Sequence, residues 1–537
     1  MTASLSTSQP DEAAVPDPGA APRSLDDLVD FVLDQTTSPV NTWAVAATLE
    51  SRGVRDVDAQ QRYGDADVFA LADRVYAACR ARLLGAGGLG EPQVSPTGFP
   101  TVLQRYGRGL ISGLPMLVQT FSVLFLAFVL YALLGYDEER ASVVALATLV
   151  SLVVTGGFVQ CVGRLGVYYA EQRSFRLAQQ VSWRLLRYGL TSAGVVGCLL
   201  IAVNGLAGWL PAGLMLDAAI YYALLTLLWL LLAVLYAMQL RLSIVLLFLA
   251  TALVAALTHR LFPSSLEVAH WSGLVAADLG AAFWARRSLR RRAAADDVTG
   301  VVKRLPRRAI QAYGLAPYFI YGMLYFGFLF LDRLLAWTVG GGHPLPFWFD
   351  ASYEVGLDLA LVVLVLMLPQ LEYAVRAFSE SMTPVQTSFS AAQARSHNRH
   401  YLRFYGRQLL LLLALGACSA GLVTSGVLWL RSADRLPLDG SITWYVFLAG
   451  TAGYGLLVVA LLNGVFLFSL SRPWPAVGAL SVAVCTDATV GWVLSRQGEY
   501  WWSVGGLVAG AAVFAGLTSV ATVRVLRRLD YYYYSAY

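Results

Sequence analysis

The segment FGFLFLDRLLAW, Phe326 to Trp337, sets Asp332 and Arg333 side by side among residues suited to a lipid-facing helix. A charge at the bilayer centre costs ~3 kcal/mol or more, so such groups face a cavity or a partner and mark ion or substrate paths. Downstream, FDASYEVGLDLALVV spaces Asp350, Glu354 and Asp358 four residues apart, one acidic face if the helix already includes Asp350. Arg333 is the natural partner of that face, whereas Asp332, about 100° around the helix, would point along a central cavity. A solvated rim with an incidental ion pair is the plainer reading. Asp278 and Asp487 each interrupt apolar sequence, where a carboxyl group is a candidate carrier of a coupling proton or sodium ion, or else a hydrogen-bonded group between helices. Gln370, Glu372, Arg376 and Glu380 follow Pro369, and both Glu372–Arg376 and Arg376–Glu380 have the spacing of helical ion pairs. Gln160 and Arg164 hold the matching place in the first half, so the two sets could form inner gates, or simply snorkel at a membrane boundary.

These groups must be positioned by helices. The 537 residues are 57% hydrophobic and only 14% charged, a composition that excludes an ordinary water-soluble fold and fits an integral membrane protein. Apolar stretches long enough to cross a ~30 Å core recur to the end of the chain, giving an all-α polytopic protein of about twelve transmembrane helices. Alternate loops are rich in arginine, notably Arg164 to Arg187, Arg286 to Arg308 and Arg376 to Arg407, while the intervening ones keep only Arg140, Arg260, Arg431, Arg435 and Arg496. Cytoplasmic loops retain such cations, so both termini are expected in the cytoplasm and the protein in the cytoplasmic (inner) membrane, in contact with membrane lipids. The net charge of +5 follows from this belt and indicates no nucleic-acid partner. Depth counting from Tyr313 puts Asp332 ~28 Å along its helix, in the outer quarter of the membrane. The five cysteines show no metal-ligand or disulfide spacing, and no phosphate-binding loop, nucleophile elbow or HExxH occurs; no cofactor, metal or catalytic residue is expected.

The two halves resemble each other. Tyr106-Gly107 before the first span answers Tyr313-Gly314 before the seventh, with Pro115 and Pro317 early in the respective helices. The expected organisation is a disordered tail (1–23), a cytoplasmic helical domain (24–84), a linker (85–104), a first six-helix bundle (105–285), a basic cytoplasmic linker (286–311), a second six-helix bundle (312–530) and a Tyr-rich tail (531–537). In the small domain, Ser24 with Asp27, and Asn41, carry helix-start signals.

The run YFIYGMLYFGFLFLDRLLAW, the following FWFDASYEVGLDLALVVLVLMLPQLEYAVRAF and the terminal RRLDYYYY resemble the PelG-type exopolysaccharide transporters of the multidrug/oligosaccharidyl-lipid/polysaccharide exporter superfamily. The resemblance rests on Asp332, Arg333, Trp337, Pro369 and Glu372 or Glu380. It implies export or flipping of a polysaccharide or lipid-linked glycan, with a cytoplasmic glycosyltransferase and other synthesis-complex subunits as partners, and no enzymatic activity. Two rival readings stand beside it. One is a membrane glycosyltransferase using Asp137, Glu138 and Glu139; the other is a non-transporting scaffold subunit of a synthesis complex.

Overall fold

The computed structural model describes residues 24–36, 39, 41–85, 138–262, 265–295, 305–339, 345–388, 394–432 and 441–534. It divides into two compact units, residues 1–96 with 380–399, and residues 97–379 with 400–537.

In the first unit, α1 (Leu25–Thr36), α2 (Thr42–Ser51), the one-turn α3 (Asp56–Asp58) with its π-turn Ala59–Tyr63, and α4 (Val68–Gly85) enclose a small core. Leu28, Val32, Val45, Leu49, Leu71 and Val75 fill it. The start signals act as their chemistry requires. Ser24 Oγ accepts from Asp27 N while Asp27 Oδ2 accepts from Ser24 N, and Asn41 Oδ1 accepts from Ala44 N at 2.9 Å.

The second unit is built from long helices: α5 (Glu138–Glu171), α6 (Phe175–Ala207), α7 (Ala212–Ala237), α8 (Arg241–Leu261), α9 (Leu266–Ala295), α10 (Arg308–Trp337), α11 (Ala351–Ser388) and α12 (Ala394–Ser432), apart from the end of α11 and the start of α12 within 380–399, then α13 (Ser441–Ser469), α14 (Pro473–Gln497) and α15 (Val504–Leu526), with a short α16 (Leu529–Tyr534). Among the described residues, 10 helices are long and apolar enough to cross a membrane. The expected sixth span is present as α9, 30 residues long but less apolar because it carries Glu267, His270, Asp278 and the arginines of the basic stretch. The expected first span, its Pro115 repeat signal and Asp137 lie outside the described residues.

Within the first half, α5 packs on α6 and α7, and α9 on α7 and α8; within the second, α14 packs on α10 and α15, and α15 on α13. The halves meet where α5 crosses α10. A Cβ on Gly157 would fall 2.8 Å from the Phe319 carbonyl oxygen, and one on Gly156 would fall 2.7 Å from that of Gly322, so only glycine lets the backbones come this close. Exposed Leu206, Leu216, Leu249, Leu253 and Leu279 lie on the outer surface, where a hydrocarbon solvent would cover them.

Candidate functional site

The end of the second half where α10 finishes and α11 starts gathers the charges. α11 starts at Ala351, one residue later than the acidic-face spacing needs, because Asp350 serves as its cap: Asp350 Oδ1 accepts from Tyr353 N at 2.9 Å. The acidic face is therefore Glu354 and Asp358 alone. Arg333 spans both, Nη1 on the Glu354 carboxylate and Nη2 on Asp358 Oδ1 at 3.0 Å, while Trp337 Nε1 donates to Glu354 Oε1 at 2.9 Å. Arg333 and Glu354 are 7% and 4% exposed, so this is an interior ion-pair group and not a solvated rim.

Asp332 does not open on a central cavity. It is fully buried inside the second half, where the Tyr353 hydroxyl donates to its Oδ2 at 2.9 Å and Ser503 Oγ donates to that hydroxyl at 3.0 Å. The reason is the one-residue step: with Arg333 committed to α11, Asp332 turns toward α14 and α15. Its Oδ1 has no hydrogen-bond partner among the described residues. Asp487 of α14, also fully buried, has neither carboxylate oxygen partnered among the described residues. Glycines make its room, since a Cβ on Gly506 would touch Asp487 Oδ1 at 2.6 Å and one on Gly510 would touch its Cβ at 3.0 Å. Two carboxyl groups, Glu354 and Asp358, thus meet the one guanidinium, while Asp332 and Asp487, both fully buried, make no ion pair among the described residues. Ionised carboxylates are not sustained there without protons or a bound cation.

The remaining candidates are dispersed. Among the described residues, Asp278 in the first half is 4% exposed and neither of its carboxyl oxygens is hydrogen-bonded. On the same helix His270 Nδ1 lies 2.9 Å from the Tyr221 hydroxyl, a pair that hydropathy patterning gave no reason to single out. Gln370 Nε2 donates to Gln408 Oε1 at 2.8 Å, tying α11 to α12 inside the second half, while the Gln160 side chain lies over Gly322 at the crossing of the halves. The two inner sets are therefore not equivalent in their surroundings. The expected Glu372–Arg376 ion pair does not form. Glu372 Oε1 instead accepts from the Tyr236 hydroxyl of α7 at 3.2 Å, a bond between the halves, and Arg376 is exposed. Glu380 belongs to α11; its side chain lies outside the described residues.

Arg164 lines a cavity of about 410 Å³ between the C-terminal end of α5, the N-terminal end of α10 and the turn into α14. Its guanidinium carbon sits 5.3 Å from the centre of the Tyr318 ring. Tyr353, Ser503, Tyr236 and Gln408 are the contributors that spacing alone did not reveal; each is an ordinary residue of an apolar or interfacial helix until its partner is placed.

No family model matches the chain, and no curated protein does. Among solved structures, it is similar to an outward-facing multidrug resistance MATE family transporter of the MOP superfamily, with TM-score 0.53 and 14% identity over 83% of this chain and 99% of the other. A variant of a MATE transporter gives TM-score 0.53 at 13% identity, over 83% and 99% of the two chains. The Vibrio cholerae MATE transporter VcmN in its bent form gives 0.51 at 14% identity, over 80% and 99%. At this identity the likeness is one of fold: the chain is a polytopic helical membrane protein arranged like the MATE transporters.

Proposed function

We propose that the chain is an alternating-access transporter that moves a polysaccharide or lipid-linked glycan outward across the cytoplasmic membrane, driven by a cation that enters the carboxyl cluster of the second half. The observation that carries this reading is the excess of buried carboxyl groups around Arg333, with Asp332 Oδ1 and both oxygens of Asp487 unpartnered. A fold with no other use for them would not keep four acids in hydrocarbon. Asp278 is the matching candidate in the first half. The similarity of fold to MATE transporters supports the two-bundle rocking motion. The glycan rests on the PelG-type resemblance of the α10–α11 region and on the aromatic, basic lining of the inner cavity. In this reading Arg333, Glu354 and Asp358 close the outer side; Gln160, Arg164, Gln370, Glu372, Arg376 and Glu380 line or support the inner side. The helical unit of residues 24–84 and the arginine belt hold a cytoplasmic glycosyltransferase, with both termini inside.

The test is Asp332→Asn. An asparagine still accepts from the Tyr353 hydroxyl, so insertion and folding are expected to persist while glycan export in cells, and cation-driven uptake into inverted proteoliposomes, fall to background. Normal export by this variant removes Asp332 from the mechanism. A wild-type chain that copurifies with a glycosyltransferase but moves no glycan in proteoliposomes overturns transport in favour of a scaffold.

A further inference from the structure

The cavity where α5 ends and α10 begins is largely apolar, with a few polar groups set into it. Its polar lining comes from Arg164, Gln311 and Ser471, its aromatic lining from Tyr169, Tyr313, Tyr318 and Trp474, and among the described residues no carboxylate lines it. Arg164 has no ion-pair partner among the described residues; the Tyr318 ring supports the guanidinium face and leaves its N–H edge available. Gln311 is oriented by its neighbour. Arg184 Nη1, which can only donate, bonds Gln311 Oε1 at 3.1 Å, and this leaves the Gln311 Nε2 donor buried and without a partner. Two large rings at the mouth are exposed, Tyr313 at 82% and Trp474 at 54%. The volume falls in the about 300–1,000 Å³ range of small-ligand sites.

Donors without an opposing acid select an anion, and a forked guanidinium beside an amide N–H₂ suits the several oxygens of a phosphoryl group. Exposed aromatic faces suit a flat apolar surface such as the C–H face of a sugar ring. The cavity lies at the ends of long apolar helices, next to the C-terminal end of α5 and the N-terminal end of α10.

We propose that this cavity binds a phosphohexose, Arg164 and Gln311 Nε2 holding the phosphoryl oxygens and Trp474 with Tyr313 covering the ring. The proposal deepens the transport reading by naming the head group recognised on the inner side, yet its binding test is independent of transport. The source is either a free sugar phosphate or a lipid-linked one, and the chemistry seen by the cavity is the same.

The experiment measures equilibrium binding to the full chain in lipid nanodiscs, with glucose 1-phosphate, glucose, inorganic phosphate and a dodecyl phosphoglucose as probes. Glucose 1-phosphate is expected to bind at least tenfold more tightly than glucose or phosphate. Arg164→Gln and Gln311→Leu each lose tenfold or more of it, and Trp474→Ala erases the preference over inorganic phosphate, while Trp474→Phe keeps it. Tighter binding of the dodecyl compound identifies the lipid-linked source, equal binding the free one, and either supports the cavity's assignment. Wild-type affinity in both Arg164→Gln and Gln311→Leu, or equal affinity for phosphate and glucose 1-phosphate, overturns it. A chain that binds as expected but moves no glycan in proteoliposomes refutes transport alone; one that exports glycan without this binding refutes the cavity alone.

Discussion

Removing Arg333 isolates the electrostatics of the cluster. Its guanidinium serves two carboxylates one turn apart on α11, and Trp337 Nε1 adds a third contact to the group. Arg333→Met keeps most of the volume, deletes the charge, and leaves Glu354 and Asp358 facing each other's field in a closed space. Stripping one partner from a buried ion pair costs about 3–5 kcal/mol, roughly a hundred- to four-thousandfold in the unfolding equilibrium. The same accounting says that the lost stability lies in the stranded acids and not in the missing contact. Arg333→Met combined with Glu354→Gln and Asp358→Asn removes charge from both sides and should therefore return to within about 1 kcal/mol of wild type, since neutral groups of similar shape replace buried ion pairs at little cost. Reversible unfolding by SDS from mixed micelles, followed by tryptophan fluorescence, gives all three free energies. The reasoning is refuted if Arg333→Met is as stable as wild type, or if the triple variant is as unstable as the single one.

Two further outcomes follow from packing and burial. Gly322→Val places a side chain against the Gly156 backbone at the crossing of α5 and α10, where neither backbone can yield; it should cost about 1–3 kcal/mol in the same unfolding assay and reduce glycan export, whereas Gly327→Val, with open space around its Cβ position, should do neither. In the small helical unit, burial pushes the Cys79 thiol above its ordinary value, so less thiolate is present at any given pH, and the sulfur is fully enclosed. N-ethylmaleimide at neutral pH, read by peptide mass spectrometry, should leave Cys79 roughly a hundredfold less modified in the folded chain than in the urea-unfolded one.

How much of this was legible beforehand depended on whether the deciding physics was local. Membrane spans announce themselves through composition, and Arg333 could be matched to Glu354 and Asp358 because two helices joined by a short turn must run antiparallel, so that positions near the turn face one another. The capping of α11 by Asp350 was also within reach: an aspartate immediately before the first turn is an ordinary helix start, yet a charge-spacing argument treats it as one more acid. The Glu372–Arg376 pair failed because an i, i+4 spacing states only that two groups can meet, and a hydroxyl from another helix won. Asp332 and Asp487 are separated by 155 positions in the chain. Nothing in either neighbourhood encodes their approach; it follows from how α10, α14 and α15 stack through Gly491, Gly506 and Gly510.

One helix links the features on which the proposed cycle depends. From its N-terminal to its C-terminal end, α10 supplies Gln311 and Tyr318 to the cavity, Phe319 and Gly322 to the crossing between the halves, and Asp332, Arg333 and Trp337 to the carboxyl cluster. Coupling between two distant sites needs an element with two arrangements that both sites bias. The contacts that bridge the halves are individually slight: Phe349 N donates to Ser142 Oγ at 2.9 Å on one side, and Tyr236 donates to Glu372 on the other. A net ~1 kcal/mol for each such hydrogen bond is well within what a ligand's preference for one state can outweigh. Pro317, inside α10 between Gln311 and the crossing, removes the N–H that would bond the Tyr313 carbonyl, and so gives the helix a place to bend. In the proposed reading, a head group held by Gln311 and covered by Tyr313 would act on the segment before Pro317, and a cation neutralising Asp332 would act on the segment after it. Occupancy at either end thereby changes the strain at Pro317 felt by the other, which is the physical content that coupling would have in this fold.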